Sequence, residues 1–253
     1  METKTENLCN LARQLKLTGA GGVINDLLIS AHQQQISYLD FAFGLFNAEI
    51  DYRNQQNLAK RLRNAKLPAN HDLELWQENH LGGISRKQVT QLRECIWLEQ
   101  NFNIILMGPS GTGKSFIAAG LCYEALLKGY KACFRSMEQL NHLLKMKDIT
   151  KSAAREYAVL LNADLMVIDD IMMFPIERKQ SVTLFNLIDH LHQNASIVVT
   201  TNKSPDEWVK VLDDEVLAAA ILDRLLFKCE VVKLSGKSYR LENRKTIFEN
   251  NVL

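Results

Sequence analysis

Hydrophobic positions in the first quarter of the chain recur at helical intervals: Ile36, Leu39, Phe43 and Phe46 lie three or four apart, with Asp40 and Glu49 on other faces. That spacing predicts a helix with one buried face. Residues 8–66 are nearly free of glycine beyond the cluster at Gly19, Gly21 and Gly22, so the whole stretch reads as helical. Pro68 ends it, because proline disfavours helical geometry at the residue before it and brings no amide donor. Residues 69–85 read as a connector with turns at Asn70 and at Gly82–Gly83. Beyond Gln100 the texture changes. Short apolar runs at 103–107, 132–134, 165–169, 197–201 and 230–234 read as buried strands, and residues 114–128, 137–147, 179–193 and 217–226 read as helices between them. Strands that alternate with helices predict a parallel sheet covered on both faces, since parallel neighbours need helical crossovers. The expected organisation is a small all-helical domain at 1–68, a connector at 69–85 and a three-layer α/β domain at 86–253.

Composition narrows the classes without changing this picture. Of 253 residues, 47% are hydrophobic and 23% charged, with 30 basic against 29 acidic side chains, as in an ordinary globular protein of one or two domains. Twelve glycines and four prolines are too few for a collagen-like, low-complexity or many-stranded all-β chain. No apolar run approaches the ~18 residues that span a bilayer, so no membrane association is expected. The opening METKTENLCN holds two glutamates and no apolar core of a secretory signal, which leads to an expectation of cytoplasmic residence. Cys9, Cys95, Cys122, Cys133 and Cys229 are odd in number and far apart, arguing against both a disulfide framework and a zinc site. Charge is uneven along the chain: Arg53, Lys60, Arg61, Arg63 and Lys66 fall between Tyr52 and His71 with no acid among them. A basic helical segment of this kind is either a nucleic-acid contact or a solvated face.

The chemistry concentrates where the run NIILM enters Gly108, Pro109, Ser110, Gly111, Thr112, Gly113, Lys114 and Ser115 and then a helix. This is the pattern G-x-x-x-x-G-K-[ST] between a strand and a helix, the context in which it binds polyphosphate. Glycines let the backbone turn its amides inward, and the helix start adds positive potential. Lys114 would contact the β- and γ-phosphates, and the Ser115 hydroxyl would hold Mg2+. A second metal anchor is offered by LMVIDD, an apolar run that ends in two carboxylates, the first of which, Asp169, lies 55 residues after Lys114. Asp169 would hold the metal and Asp170 polarise the attacking water, although an acid at a strand end can also simply cap a turn. Asn202, just past IVVTT, either orients the same water or begins the turn toward Pro205. Arg224 interrupts the apolar run from Val216. It either pairs at the surface with Asp223 or Glu215, or serves a neighbouring subunit as an arginine finger.

GPSGTGKS, LMVIDD, TTNKSPDEW and above all VLAAAILDRLL followed by GKSYRLENRK resemble the IstB family of transposition helper ATPases, itself similar to DnaC helicase loaders within the AAA+ class. The resemblance spans nearly the whole chain. It implies an ATP-dependent AAA+ ATPase that oligomerises on double-stranded DNA and recruits or activates a transposase, with a DnaC-like helicase loader as the alternative. It also implies Lys114 and Ser115 on ATP and Mg2+, Asp169 on metal, Asp170 for hydrolysis, Asn202 as sensor, Arg224 as a finger in a neighbour's site and Arg240 as a second sensor. The basic segment resembles the part of this family that contacts DNA. Two departures qualify the carry-over. Asp170 stands where many AAA+ ATPases have glutamate, which implies slow turnover and leaves open a non-hydrolysing nucleotide-gated scaffold. The 29 residues after Arg224 are too few for the usual helical lid, so a minimal or absent lid is expected. A small-molecule kinase shares the phosphate loop, but no acceptor-binding lid is evident.

Overall fold

The computed structural model describes residues 2–75, 82–173, 177–212, 214–242 and 244. Residues 76–81 of the expected connector therefore lie outside the described residues. The chain forms two compact units, Met1–Lys60 and Arg61–Leu253.

The first unit consists of α1 (Glu2–Gln14), α2 (Thr18–Gln34) and most of α3 (Tyr38–Ala65). Two close approaches bring α2 against α3. A Cβ on Gly19 would lie 2.4 Å from Tyr52 Cβ and 2.5 Å from Ala48 O, and one on Gly44 would lie 3.1 Å from Leu27. Glu49, 6% exposed, accepts hydrogen bonds from the amides of Gly19 at 2.8 Å and Ala20 at 3.1 Å, so a carboxylate satisfies the open start of α2. This corrects the expected orientation of α3. Leu39, Phe43 and Phe46 are 66%, 58% and 57% exposed, and the packed side carries Gly44, Ala48 and Glu49 instead. Periodicity locates a stripe but not the side that its own chain covers, and here the small residues decide by allowing the backbones to approach.

The second unit is built on five strands: β1 (Asn103–Met107), β2 (Ala132–Ser136), β3 (Leu165–Asp169), β4 (Ser196–Thr201) and β5 (Cys229–Lys233). All pair in parallel, in the order β2-β3-β4-β1-β5. Each crossover carries helix: α6 (Lys114–Leu127), α7 (Met137–Met146) with α8 (Lys151–Leu161), α9 (Arg178–His192), and α10 (Pro205–Leu212) with α11 (Glu215–Leu226). Strand alternation divides the core. Ile105, Cys133, Met166, Ile168, Ile197 and Val199 point into a cluster with α7, α9 and α11, and the opposite parity lies under α6. The three-layer α/β fold expected from the sequence is the one observed, with strand ends within two residues of those expected.

Four helices have no counterpart among those expected from the sequence: α4 (Arg86–Arg93), α5 (Ile96–Glu99), α8 and α10. α4 buries only Val89 within itself, so its periodic signal is faint, yet Ser85 and Gln88 form a capping box at its start. A further short helix, α12 (Tyr239–Glu242), follows β5.

The C-terminus of α3 is fixed from within the second unit by Arg135. Its side chain is 2% exposed and donates to Asn64 O at 3.2 Å, Ala65 O at 2.8 Å and Glu156 at 2.9 Å. An arginine thus satisfies two carbonyls that a helix end leaves open. Lys66, in the left-handed region at φ 56°, adds a 2.6 Å ion pair to the same Glu156.

Candidate functional site

The phosphate-binding loop begins where the sheet ends. Met107 lies beside Thr201 of β4 and Lys233 of β5, and the Gly108 amide donates to Thr201 O at 3.2 Å. The loop then depends on glycine geometry: Gly111 and Gly113 both have φ +84°. Gly113 is also the N-cap of α6 and provides no side chain to occupy that helix's first amides. A helix start left open in this way, at the end of a glycine loop, fits a polyphosphate. Thr112 is buried and turns its hydroxyl back onto Pro109 O at 2.8 Å, which braces the loop internally. Lys114, 6% exposed, donates to Gly108 O and Pro109 O, each at 2.8 Å, so its ammonium lies within the concavity of the loop.

Opposite the loop is the end of β3. Asp169 shares the sheet face under α6 by strand parity, while Asp170 opens the following turn at φ 55°. Thr200, fully buried on β4, donates its hydroxyl proton to Asp169 Oδ1 at 2.6 Å and accepts the Asp170 amide at 2.8 Å. The charges at this edge act on one another. Burial lowers the pKa of Lys114; Asp170 and Asp169 work against that lowering, and Arg240 adds to it. Burial, with the Asp169 carboxylate beside it, raises Asp170, and Lys114 and Arg240 oppose that rise. Lys114, Asp169, Asp170 and Arg240 therefore form one electrostatic cluster.

Arg240 reaches this cluster through the strap that follows β5. A Cβ on Gly108 would lie 2.2 Å from Leu234 O, and one on Gly111 would lie 2.1 Å from Ser238 Oγ. The Tyr239 amide donates to Gly111 O at 3.1 Å. Upstream, Gly82 exchanges two backbone hydrogen bonds with Ser235, 2.9 and 2.8 Å long, and Gly83 meets Lys233. The segment from Lys233 to Arg240 thus lies directly on the loop. Sequence reasoning reached Arg240 but not the contacts of Ser238 and Tyr239. It also missed Thr200, for which the one visible signal was the paired threonines at the end of IVVTT.

Other expected residues stand differently. Ser115 is the second residue of α6 and half-buried. Asn202 is exposed, immediately beyond the β4 residue that pairs with Met107, and hence at the same edge of the sheet. Arg224 is not brought to the loop of its own chain. Its backbone oxygen accepts from Asn103, the first residue of β1, whereas the loop follows the last. Its guanidinium donates to Asp189 at 2.5 Å and covers the Phe185 ring at 4.5 Å, so neither Asp223 nor Glu215 is the partner found. In the basic segment, Arg53 pairs with Glu49 at 2.6 Å and Lys66 with Glu156. Arg61 is half-buried and its Nε has no hydrogen-bond partner among the described residues, while Lys60 and Arg63 are exposed.

A magnesium ion fits this edge. Ser115 offers a hydroxyl and Asp169 a carboxylate oriented by Thr200, which is the sparse protein ligand set such an ion takes when phosphates complete its shell. Among the described residues no three His, Cys, Asp or Glu side chains form a metal cage, and this mode of binding does not need one. Among the described residues, too, no helix is long and apolar enough to cross a membrane.

Comparisons with known proteins bear on the family and the fold. Residues 10–247 match the family model described as IstB-like ATP binding protein. A Bacteroides fragilis protein, described as an ATP-binding protein of an IS21-like insertion sequence, is 40% identical over 245 residues, covering 97% of this chain and 93% of its own length. Among solved structures, the DnaC helicase loader superposes with a TM-score of 0.54 at 17% identity, over 66% of this chain and 98% of that one. AMPPCP-bound DnaA from Aquifex aeolicus gives 0.53 at 17% identity, over 67% of this chain and only 51% of that one. The five-stranded parallel sheet is thus the P-loop AAA+ fold of these neighbours.

Proposed function

The chain belongs to the family of IstB-like ATP-binding proteins, and from that membership we propose that it is an ATP-dependent helper of DNA transposition which assembles on double-stranded DNA and engages a transposase. The observation that carries the reading is the single cluster of Lys114, Asp169, Asp170 and Arg240 at the open start of α6. Residues 108–113 wrap the phosphates of ATP with their amides, and Lys114 offsets the β- and γ-phosphate charge. Ser115 and Asp169 would hold Mg2+, which when bound would neutralise phosphate charge. Asp170 accepts a proton from the attacking water and Asn202 orients that water. Arg240 contributes positive charge from the strap, doing in part the work of a lid.

Arg224 acts in a neighbouring subunit. Its place at the other end of β1 from its own loop supports a role across a subunit boundary, because phosphoryl transfer gains from an arginine brought to the γ-phosphate. DNA is met through phosphate contacts from the basic segment, with Lys60 and Arg63 exposed for it. The relative's description, an ATP-binding protein of an insertion sequence, supports transposition as the process served.

Mass photometry of the protein with and without ATP, Mg2+ and a duplex tests the reading. ATP and DNA together are expected to shift the mass to multiples of one chain. A mass distribution that is the same with and without nucleotide contradicts it.

A further inference from the structure

Thr200 holds three successive residues at the edge where β3 ends. Its hydroxyl donates to Asp169 Oδ1 at 2.6 Å, the same oxygen accepts the Asp170 amide at 2.8 Å, and its carbonyl accepts the Ile171 amide at 2.9 Å. A hydroxyl has one proton to donate, and this one is spent on a carboxylate. The Thr200 side chain is fully buried, while the two aspartates it bonds are half-buried at the edge of the sheet. Asp170 lies at φ 55°, a conformation that a non-glycine residue keeps only when its surroundings hold it there. Strand parity explains why the pair meets: Ile168 is in register with Val199, so Asp169 and Thr200 are the next residues on adjoining strands and emerge on the face under α6.

We propose that Thr200 is a positioning residue, which fixes the rotation of the Asp169 carboxylate for Mg2+ and the backbone of Asp170 for its place beside the phosphates. The proposal rests on the reading of the loop as an ATP site. The bond to Oδ1 leaves Oδ2 without that partner, and it restricts the torsional freedom that the carboxylate would otherwise lose on binding a metal. Partners one step removed from a metal commonly change its affinity by about 10- to 100-fold when deleted. Thr201, one residue on and of opposite parity, serves as the control, since its hydroxyl accepts the Lys203 amide at 3.1 Å.

The experiment measures the affinity for a non-hydrolysable ATP analogue with Mg2+ and with EDTA, together with the melting temperature. It compares the parent, Thr200→Val, Thr200→Ser and Thr201→Val. Thr200→Val keeps the β-branched shape and loses the hydroxyl. It should match the parent in EDTA within about twofold and lose roughly tenfold or more of the gain that Mg2+ confers. Thr200→Ser and Thr201→Val should keep that gain. If Thr200→Val does not fold, Thr200→Cys, a weaker donor in the same place, should show a partial loss. An undiminished Mg2+ gain in Thr200→Val, or in Thr200→Cys where that is the variant read, overturns the proposal, and so does an equal loss with and without Mg2+. A parent that fails to bind nucleotide at all overturns the ATP-site reading itself. The two failures are thereby distinguished.

Discussion

Replacing Gly111 by alanine tests whether the strap is seated on the phosphate loop, and Gly129 provides a built-in control. Both have positive φ, +84° and +99°, so an alanine pays a similar backbone cost at each, about 1–2 kcal/mol. They differ in what the new methyl meets. At Gly129 nothing lies within 4 Å, whereas at Gly111 the added carbon would stand 2.1 Å from Ser238 Oγ, 2.7 Å from its Cβ and 3.1 Å from its Cα. Rotating the serine hydroxyl relieves the first contact but not the other two, so the strap itself must shift. Overpacking of that kind costs about 1–3 kcal/mol. Gly129→Ala should therefore destabilise by about 1–2 kcal/mol and Gly111→Ala by about 2–5 kcal/mol unless the strap leaves the loop. If it leaves, the Arg240 charge goes with it, and affinity for ATP should fall by roughly tenfold or more, about 1.4 kcal/mol. Calorimetric titration with ATP and a thermal melt of each variant read both quantities, and Gly111→Ala combined with Ser238→Gly should recover part of the loss. Equal ATP affinity together with equal stability in Gly111→Ala and Gly129→Ala would refute the seating of the strap.

Arg224→Ala should bind ATP and lose hydrolysis, and mixing it with Lys114→Ala should restore part of the activity; an Asp189→Ala variant as inactive as Arg224→Ala would instead reduce Arg224 to its ion pair with Asp189. Arg135→Met should destabilise by about 3–5 kcal/mol in chemical denaturation, because it leaves carbonyls of Asn64 and Ala65 and part of the Glu156 charge without their partner. Although burial alone would raise it, hydrogen bonds from Lys66 and Arg135 hold Glu156 below the usual carboxylate range; its contribution is complete above the ordinary glutamate pKa and is lost as pH falls toward the depressed folded value, so Glu156→Gln should show a shallower acid-side decline in melting temperature. On DNA, Lys60→Ala, Arg61→Ala and Arg63→Ala together should abolish duplex binding. With Arg53 and Lys66 already paired, the parent's log K against log salt should be no steeper than about −2.7 per protomer, and unchanged binding by the triple variant would move the DNA surface elsewhere.

The sheet and loop were legible because their signals are local. A strand buried on both faces is a continuous apolar run, and NIILM, LMVID and IVVTT stand out for that reason. The loop pattern fixes its own backbone, so Lys114 could be placed from spacing alone. What escaped depends on contacts between distant residues. Thr200 serves Asp169 from 31 positions away, a link that only sheet register creates. Ser238 and Tyr239 reach Gly111 because β5 lies beside β1, an order that the apolar pattern does not encode. α3 shows the same limit, since its outward stripe Leu39, Phe43 and Phe46 has the spacing of a buried one. The choice between the two sides rests on Gly19 and Gly44 admitting a neighbouring helix.

If the loop, the β3 carboxylates and the strap make one Mg2+-dependent ATP site, as we propose, Lys114 is the residue on which it turns. Titration of ATP with Mg2+ into the parent and into Lys114→Ala tests it most directly. Saturable binding of one ATP per chain is expected in the parent and none in the variant at the same concentrations, with both proteins folded by circular dichroism. Equal binding by the two proteins would contradict it.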